Sequence, residues 1–339
     1  MEIVLDKTPV GPNLPVYVIA EIGSNHMGSL DEAKRLIRMA AAAGADACKF
    51  QKRDNRVLYT TAFFNSPYNS ESAYGFTYGT HREALEFGLD QYKELQSEAA
   101  DLGLTFFATP FDIPSVEFLE RLDVPFYKIA SAGIQNPLLL RAVASLGKPV
   151  LVSFGGATIE EVRRTVETLQ GCPLVLMHCV AGYPPKAEQM NLPRIATLRR
   201  EFPQHVIGFS DHEDGITLGP VALALGARVF EKHITMSHSN KGTDHVFSLE
   251  YMGLLQYTSR LRKTSEATKV RHHPMDEERR PLAKMGYSVY PAKDLPKGLV
   301  IKSTDLVIKS PADGLPGWAY DELIGKTLLR DVKAEEILD

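Results

Sequence analysis

Short apolar runs recur along roughly the first 235 residues of this 339-residue chain, and nearly every one ends in a residue able to do chemistry. Val16–Ala20 runs into Glu21. Ala47 and Cys48 run into Lys49, Phe50 and Gln51, Thr105–Ala108 ends at Thr109, and Phe126 and Tyr127 lead to Lys128 and Ser131. Further on, Val150–Val152 ends at Ser153, Leu174–Met177 at His178, and Val206–Phe209 at Ser210, Asp211 and His212. Val229 and Phe230 run into Glu231, Lys232 and His233. Eight candidate strands, each followed by a stretch readable as helix, predict an α/β chain built on a TIM (β/α)8 barrel. In that fold the active site lies at the C-terminal ends of the strands. The polar residues just past the apolar runs are therefore the candidate site.

The intervening segments have helical spacing. Leu30, Ala33, Leu36, Ile37, Ala40 and Ala41 recur at i, i+3, i+4 and i+7 before Gly44 stops the helix. Leu138–Leu146, stopped by Gly147, repeats the pattern. So does Ile159–Leu169, where Thr158 and Glu161 stand in capping-box register. One segment breaks the rhythm. Lys52 to Gly88 is long, aromatic and rich in turn residues, and a loop of that length in a compact domain is functional or disordered. Its aromatic content predicts order, and its place after the second strand predicts a wall or lid on the catalytic face. Residues 1–267 are thus expected to form the barrel and 268–281 a linker of basic, acidic and His residues. In 282–339, short β-like pieces (Tyr287–Tyr290, Val300-Ile301, Leu306–Ile308) separated by prolines predict a small, mostly β domain.

Composition narrows the function classes. A net charge of −4 offers no electrostatic case for nucleic acid or a membrane surface as the main partner. No apolar run approaches the ~18 residues a bilayer span needs. The first fifteen residues have neither a basic start nor an apolar core, so no signal peptide is expected. Cys48, Cys172 and Cys179 form no CxxC pair and are odd in number, which predicts buried, reduced thiols in a cytoplasmic protein.

Strand side chains alternate with period two, so Lys49 and Gln51 share a face, as do Ser210 and His212, and Glu231 and His233, while Lys232 faces the other way. Two lysines from different strands, Lys49 and Lys128, together with Thr109, Ser131, Ser153 and Ser210, suit a small anion bearing phosphate or carboxylate. His212 and His233, at the ends of successive strands, suit a divalent metal with open positions, although a hydrogen-bonded core pair fits the spacing equally well. His178 and His26 are weaker candidates. Glu21 is placed to ligate metal, to act as general acid or base, or to pair with a neighbouring lysine.

These phrases resemble the sialic acid synthase family. The resemblance runs through Ala20-Glu21-Ile22-Gly23-Ser24-Asn25-His26, Lys49-Phe50-Gln51, Phe107-Ala108-Thr109-Pro110-Phe111 and Tyr127-Lys128-Ile129-Ala130-Ser131. It continues in Ile207-Gly208-Phe209-Ser210-Asp211-His212, Glu231-Lys232-His233, Thr243-Asp244-His245 and Phe247-Ser248-Leu249-Glu250. Ala292-Lys293-Asp294-Leu295 and Leu323-Ile324-Gly325-Lys326 resemble the family's antifreeze-like (SAF) domain. The resemblance implies a barrel with a SAF domain that condenses phosphoenolpyruvate with an open-chain, N-acylated aldose. The products are a 2-keto-3-deoxy sugar acid and phosphate, used for surface or spore-coat polysaccharides. It implies phosphoenolpyruvate contacts at Lys49, Thr109, Lys128, Ser131, Ser153 and Ser210, and sugar contacts at Gln51, Tyr183 and Asp244. It further implies catalytic roles for Glu21, His212 and His233, with Mn2+ or Mg2+ on the two histidines, and a domain-swapped homodimer. Three positions depart from the neuraminate-type pattern. Gly133 and Ala181 replace a sugar-binding Glu and an Asn, and Ser310 stands where a SAF-domain Arg reaches the N-acyl group. Two other readings are a different barrel lyase or epimerase acting on sugar phosphates, and a non-catalytic sugar-binding relative.

Overall fold

A computed structural model describes residues 2–338, which divide at Lys269/Val270 into two compact units. The first opens with an antiparallel hairpin, β1 (Ile3–Leu5) and β2 (Thr8–Val10), whose Ile3, Leu5 and Val10 join the main core. Eight parallel strands follow: β3 (Tyr17–Gly23), β4 (Ala47–Lys52), β5 (Thr105–Pro110), β6 (Tyr127–Ile129), β7 (Val150–Ser153), β8 (Leu174–Cys179), β9 (Val206–Asp211) and β10 (Val229–His233). Their order, β5-β4-β3-β10-β9-β8-β7-β6, joins first to last through β3 and β10 and leaves the ladder unpaired only between β5 and β6. This is a nearly closed barrel of the TIM type, at the eight apolar runs read from the sequence.

Period-two alternation sorts each strand into an inner and an outer set. Inside, Phe107 packs on Phe126 at 4.4 Å between ring centroids, with Tyr17 edge-on to Phe126 at 6.4 Å, so the interior is filled rather than hollow. Outside, Phe50 and Phe106 meet at 5.4 Å and pack with Tyr92 of the helix Leu89–Asp101. The same alternation sends Lys232 outward, where its ammonium lies 3.0 Å from the Asp211 carboxylate and both are fully buried. The segment after β4 is ordered into three short helices, Asn55–Leu58, Thr61–Phe64 and Tyr78–Glu83.

The second unit pairs β11 (Ser288–Pro291) with β12 (Leu306–Lys309) around a small core of Val289, Leu295, Ile301, Leu306, Val332 and Leu338. It also holds a helix, Asp276–Met285, which begins in the stretch 268–281 that the sequence reads as linker and runs past its end. That helix buries no residue, so it carries no apolar stripe to read. Its signals are local: Asp276, Glu277 and Glu278 complement the dipole of the first turn, and the Glu278 carboxylate accepts the Met275 N–H at 2.7 Å. Among the described residues no helix is long and apolar enough to cross a membrane.

The capping box of the helix Ile159–Thr168 forms as expected. Thr158 Oγ1 accepts the Glu161 N–H at 3.2 Å, and the Glu161 carboxylate accepts the Thr158 N–H at 2.7 Å. Thr158→Ala should lower the unfolding free energy by about 1 kcal/mol in a urea titration, with an unchanged slope.

Candidate active site

Strand register brings the polar residues together. Glu21 on β3 is level with Lys49 on one side and with His233 on the other, and Glu231 is level with Ser210. At Gly23 the β3–β4 register shifts, and Gly23 adopts φ +56°. A Cβ there would lie 3.2 Å from Glu21 Oε1, 3.3 Å from Gln51 Nε2 and 3.5 Å from His233 Cε1. Only glycine gives both the backbone conformation and the room for three functional side chains.

The result is a cavity of about 510 Å³ at the mouth of the barrel, a size usual for a small-molecule site. Its floor is a buried charge network. Lys49 Nζ lies 2.7 Å from Glu21 Oε2, donates to Thr109 Oγ1 at 3.0 Å, and is 3.7 Å from Glu231 Oε2. Lys128 Nζ and Ser210 Oγ both donate to Glu231 Oε1, at 3.1 and 3.0 Å. Burial alone would raise the Glu231 pKa, but the charges of Lys128 and Lys49 hold it down to about 2. Burial pulls the Lys128 ammonium below its ordinary value in spite of Glu231. Gln51 completes the network, donating to Glu21 Oε1 at 2.8 Å.

Two hydroxyls face the cavity with capacity to spare. Ser131 Oγ accepts the Gly155 N–H at 2.8 Å, so its proton is free to point elsewhere. Ser153 Oγ is buried and has no hydrogen-bond partner at all.

His212 and His233 stand side by side, ring centroids 5.4 Å apart, each met edge-on by Phe247. His212 Nδ1 is 3.0 Å from the Val180 carbonyl, which can only accept, so Nδ1 carries the proton and Nε2 keeps its lone pair. Burial, and then the charge of His233, lowers the His212 pKa to about 3, so the ring is neutral across the physiological range. His233 Nδ1 is buried and unpaired, with Asp244 Oδ2 at 4.0 Å. A fixed tautomer and an unsatisfied ring nitrogen are what a two-imidazole metal site requires. Among the described residues no three or more His, Cys, Asp or Glu side chains converge as a metal site. The pair would thus be the protein's whole share, leaving open positions.

Every site residue read from the sequence therefore borders this one cavity, including Tyr183, stacked on His212 at 4.5 Å, and Asp244. His178 and His26 do not. His178 Nε2 bonds the Met190 carbonyl at 2.7 Å, and His26 packs between Phe50 and Phe87. Of the departures, Ala181 borders the cavity, Gly133 lies in the turn Ser131–Gln135, and Ser310 belongs to the second unit. Three charged lining residues have no role assigned from sequence. Glu231 was placed on the correct face. Arg53 continues the Lys49, Gln51 alternation by one more step. Arg82 lies in the ordered segment after β4 and has no periodic signal.

Comparison with known proteins settles the family. The NeuB family model matches residues 36–273 and the SAF domain model residues 287–339. The chain belongs to the NeuB family. Its NeuB relatives are sugar acid synthases. N-acetylneuraminate-9-phosphate synthase of Drosophila melanogaster is 36% identical, covering 95% of this chain and 94% of the relative. The N,N'-diacetyllegionaminic acid synthase of Campylobacter jejuni is 33% identical, covering 95% and 98%. The crystal structure of N-acetylneuraminic acid synthetase from Leptospira borgpetersenii superimposes with a TM-score of 0.72 at 33% identity, covering 83% of this chain and 95% of that one.

Two substitutions test the geometry. Glu231→Gln removes the counterion of buried Lys128 and should cost about 3–5 kcal/mol in a denaturant titration. Because Glu231 titrates at about 2 in the fold against an ordinary 4.5, its contribution is present above pH 4.5 and is lost as pH falls toward 2. The variant should show correspondingly less acid sensitivity, and an identical acid profile would remove Glu231 from the network. Gly23→Ala should lose more than about 1 kcal/mol, since alanine cannot take φ +56° without strain.

Proposed function

We propose that this protein condenses phosphoenolpyruvate with an open-chain, N-acylated aldose, releasing phosphate and a 2-keto-3-deoxy sugar acid for surface or spore-coat polysaccharide synthesis. The observation that carries the reading is the pairing of two buried lysines with an orphaned serine hydroxyl, Ser153, opposite His212 and His233 in one cavity. Lys49 and Lys128 neutralise the anionic groups of the enolpyruvate, Thr109, Ser131 and Ser153 donate to its oxygens, and Ser210 joins them by turning its proton from Glu231. His212 Nε2 and His233 would hold a divalent metal, Mn2+ or Mg2+, which when bound supplies Lewis-acid polarisation of the aldehyde, worth several kcal/mol. C3 of the enol attacks the aldehyde carbon, water adds at C2, and the C–O bond to phosphate breaks. Glu21, fixed by Lys49 and Gln51, is positioned to take and return a proton, a contribution of about 10²–10⁴-fold. Gln51, Tyr183 and Asp244 border the sugar end. The SAF domain would act on a partner's barrel in a swapped homodimer.

The names of the relatives divide between a 9-phosphate product and a diacetylated, unphosphorylated one, so they leave the far end of the aldose open. The test is parallel assay of phosphate and 2-keto acid from phosphoenolpyruvate, Mn2+ and a panel of 2-acetamido, 2,4-diacetamido and plain aldoses. Sugar-dependent release of both is expected, abolished by a chelator and restored by Mn2+. Lys128→Ala should raise the KM for phosphoenolpyruvate by about tenfold or more, the loss of one buried charge-assisted contact. Borohydride should trap no protein–substrate adduct. Trapping on Lys49 or Lys128 would instead identify a Schiff-base lyase.

A further inference from the structure

The cavity has two charge regimes. On its floor, two lysines meet two carboxylates, Lys49 with Glu21 and Lys128 with Glu231, so the positive charge is locally balanced. On its rim stand Arg53 and Arg82, and Asp244 is the carboxylate that lines the cavity with them. Arg53 is only 9% exposed, its guanidinium 3.8 Å over the Phe111 ring, with Nη2 donating to Gln51 Oε1 at 2.5 Å. The one carboxylate near it is Glu86, at 4.0 Å, and Glu86 is already held by Lys52 at 2.7 Å. Arg82 has no carboxylate within ion-pair distance among the described residues, and its Nε and Nη2 both point at the Tyr78 hydroxyl, at 3.2 and 3.1 Å. Burial, followed by the charge of Arg82, lowers the Arg53 pKa. Arg53 thus has only an already engaged carboxylate within 4.0 Å, in a buried position where an unmatched charge is costly, and Arg82 feels the charge of Asp244 without pairing closely with it.

The rim is also built to hold these groups still. Tyr78 packs among Tyr59, Phe63 and Tyr68, and Tyr74 donates its hydroxyl to the Lys241 carbonyl at 2.5 Å while the Lys241 ammonium lies over its ring. The segment that carries Arg82 is therefore tied to the chain beyond β10. Along β4 and the residue just past its end, Lys49, Gln51 and Arg53 climb from floor to rim. Four extended residues span about 13 Å, so the rim lies well beyond the floor that faces a three-carbon acid.

We infer that Arg53 and Arg82 receive an anionic group, a phosphate ester or a carboxylate, at the end of the aldose remote from its aldehyde. This rests on the condensing reaction proposed above. Planar guanidinium forks match both anions, and the cation excess at the rim is what such a group would neutralise. The co-substrate class is then an acidic N-acylated aldose rather than a neutral one.

The experiment compares a 2-acetamido aldose, its 6-phosphate and its 6-carboxylate as co-substrates of the full-length protein with phosphoenolpyruvate and Mn2+. Melting-temperature shifts with each sugar alone give a second readout. One of the two acidic sugars should exceed the neutral one in kcat/KM by about tenfold or more, and which one it is identifies the anion. Arg82→Gln should collapse that ratio through the KM of the sugar, with Arg82→Lys intermediate because charge remains and the fork is lost. A neutral sugar used as well as both acidic ones would overturn the inference and leave the condensing reaction standing. So would an Arg82→Gln effect confined to the KM of phosphoenolpyruvate. If no sugar is turned over, but an acidic one stabilises the wild type and not Arg82→Gln, the rim assignment stands and the reaction falls. No turnover and no stabilisation would sink both.

Discussion

The mouth of this barrel depends on how two buried lysines are balanced. Lys49 and Lys128 are almost fully enclosed, and each would be ruinous there alone. Glu21 and Glu231 make them tolerable, and they do so asymmetrically. Glu231 gathers Lys128 and Ser210 on one oxygen and leaves the other within reach of Lys49, so a single carboxylate orients both cations. Glu21 then ties Lys49 to Gln51, and Gln51 to Arg53, so the network runs unbroken from floor to rim. Its parts depend on register. Because Glu21 is level with both Lys49 and His233, a slip of one residue on β3 would send it to the helix side and break the charge pairing.

A neutral His212 next to this network follows from the same enclosure. Burial denies His212 a proton, and the Val180 carbonyl fixes which nitrogen keeps its hydrogen. The site thus has a charged half, where protons are held on lysine, and beside it the neutral imidazole of His212, whose Nε2 lone pair stays available. A reaction joining an anionic enol to an electrophilic aldehyde needs that division, since protonated imidazoles would compete with the lysines for the same anion.

Most of the barrel was legible in the sequence because both of its periods are visible there. Apolar runs gave the strands, and alternation gave the faces, down to Lys232 turning away toward Asp211. The histidine pair and the lysines followed, since strand ends are the one place where sequence position and site position coincide. Legibility failed where structure is made by contacts between segments. Arg82 sits on a six-residue helix held by aromatic packing, which no period announces. The helix Asp276–Met285 is amphipathic to nothing, so its stretch reads as linker. Glu21 shows the intermediate case. Pairing with a lysine was one of three roles its position allowed, and only the 2.7 Å contact with Lys49 selects it, without removing the proton-handling role.

The division between floor and rim would let a chain keep the proposed reaction while changing its sugar. The floor is constrained many times over: each charge has a partner, each partner a fixed strand register, and Gly23 no permissible replacement. The rim is built from the segment after β4, whose aromatic packing can be exchanged without disturbing the ladder. Departures from the neuraminate-type pattern at Gly133, Ala181 and Ser310 fall outside the buried charge network. On the proposed reaction, the loss of donors there and the guanidinium groups of Arg53 and Arg82 would act in the same direction. Both would shift recognition from the N-acyl end of a sugar toward its far end, where a fixed charge contributes more discrimination than a hydrogen bond to an amide.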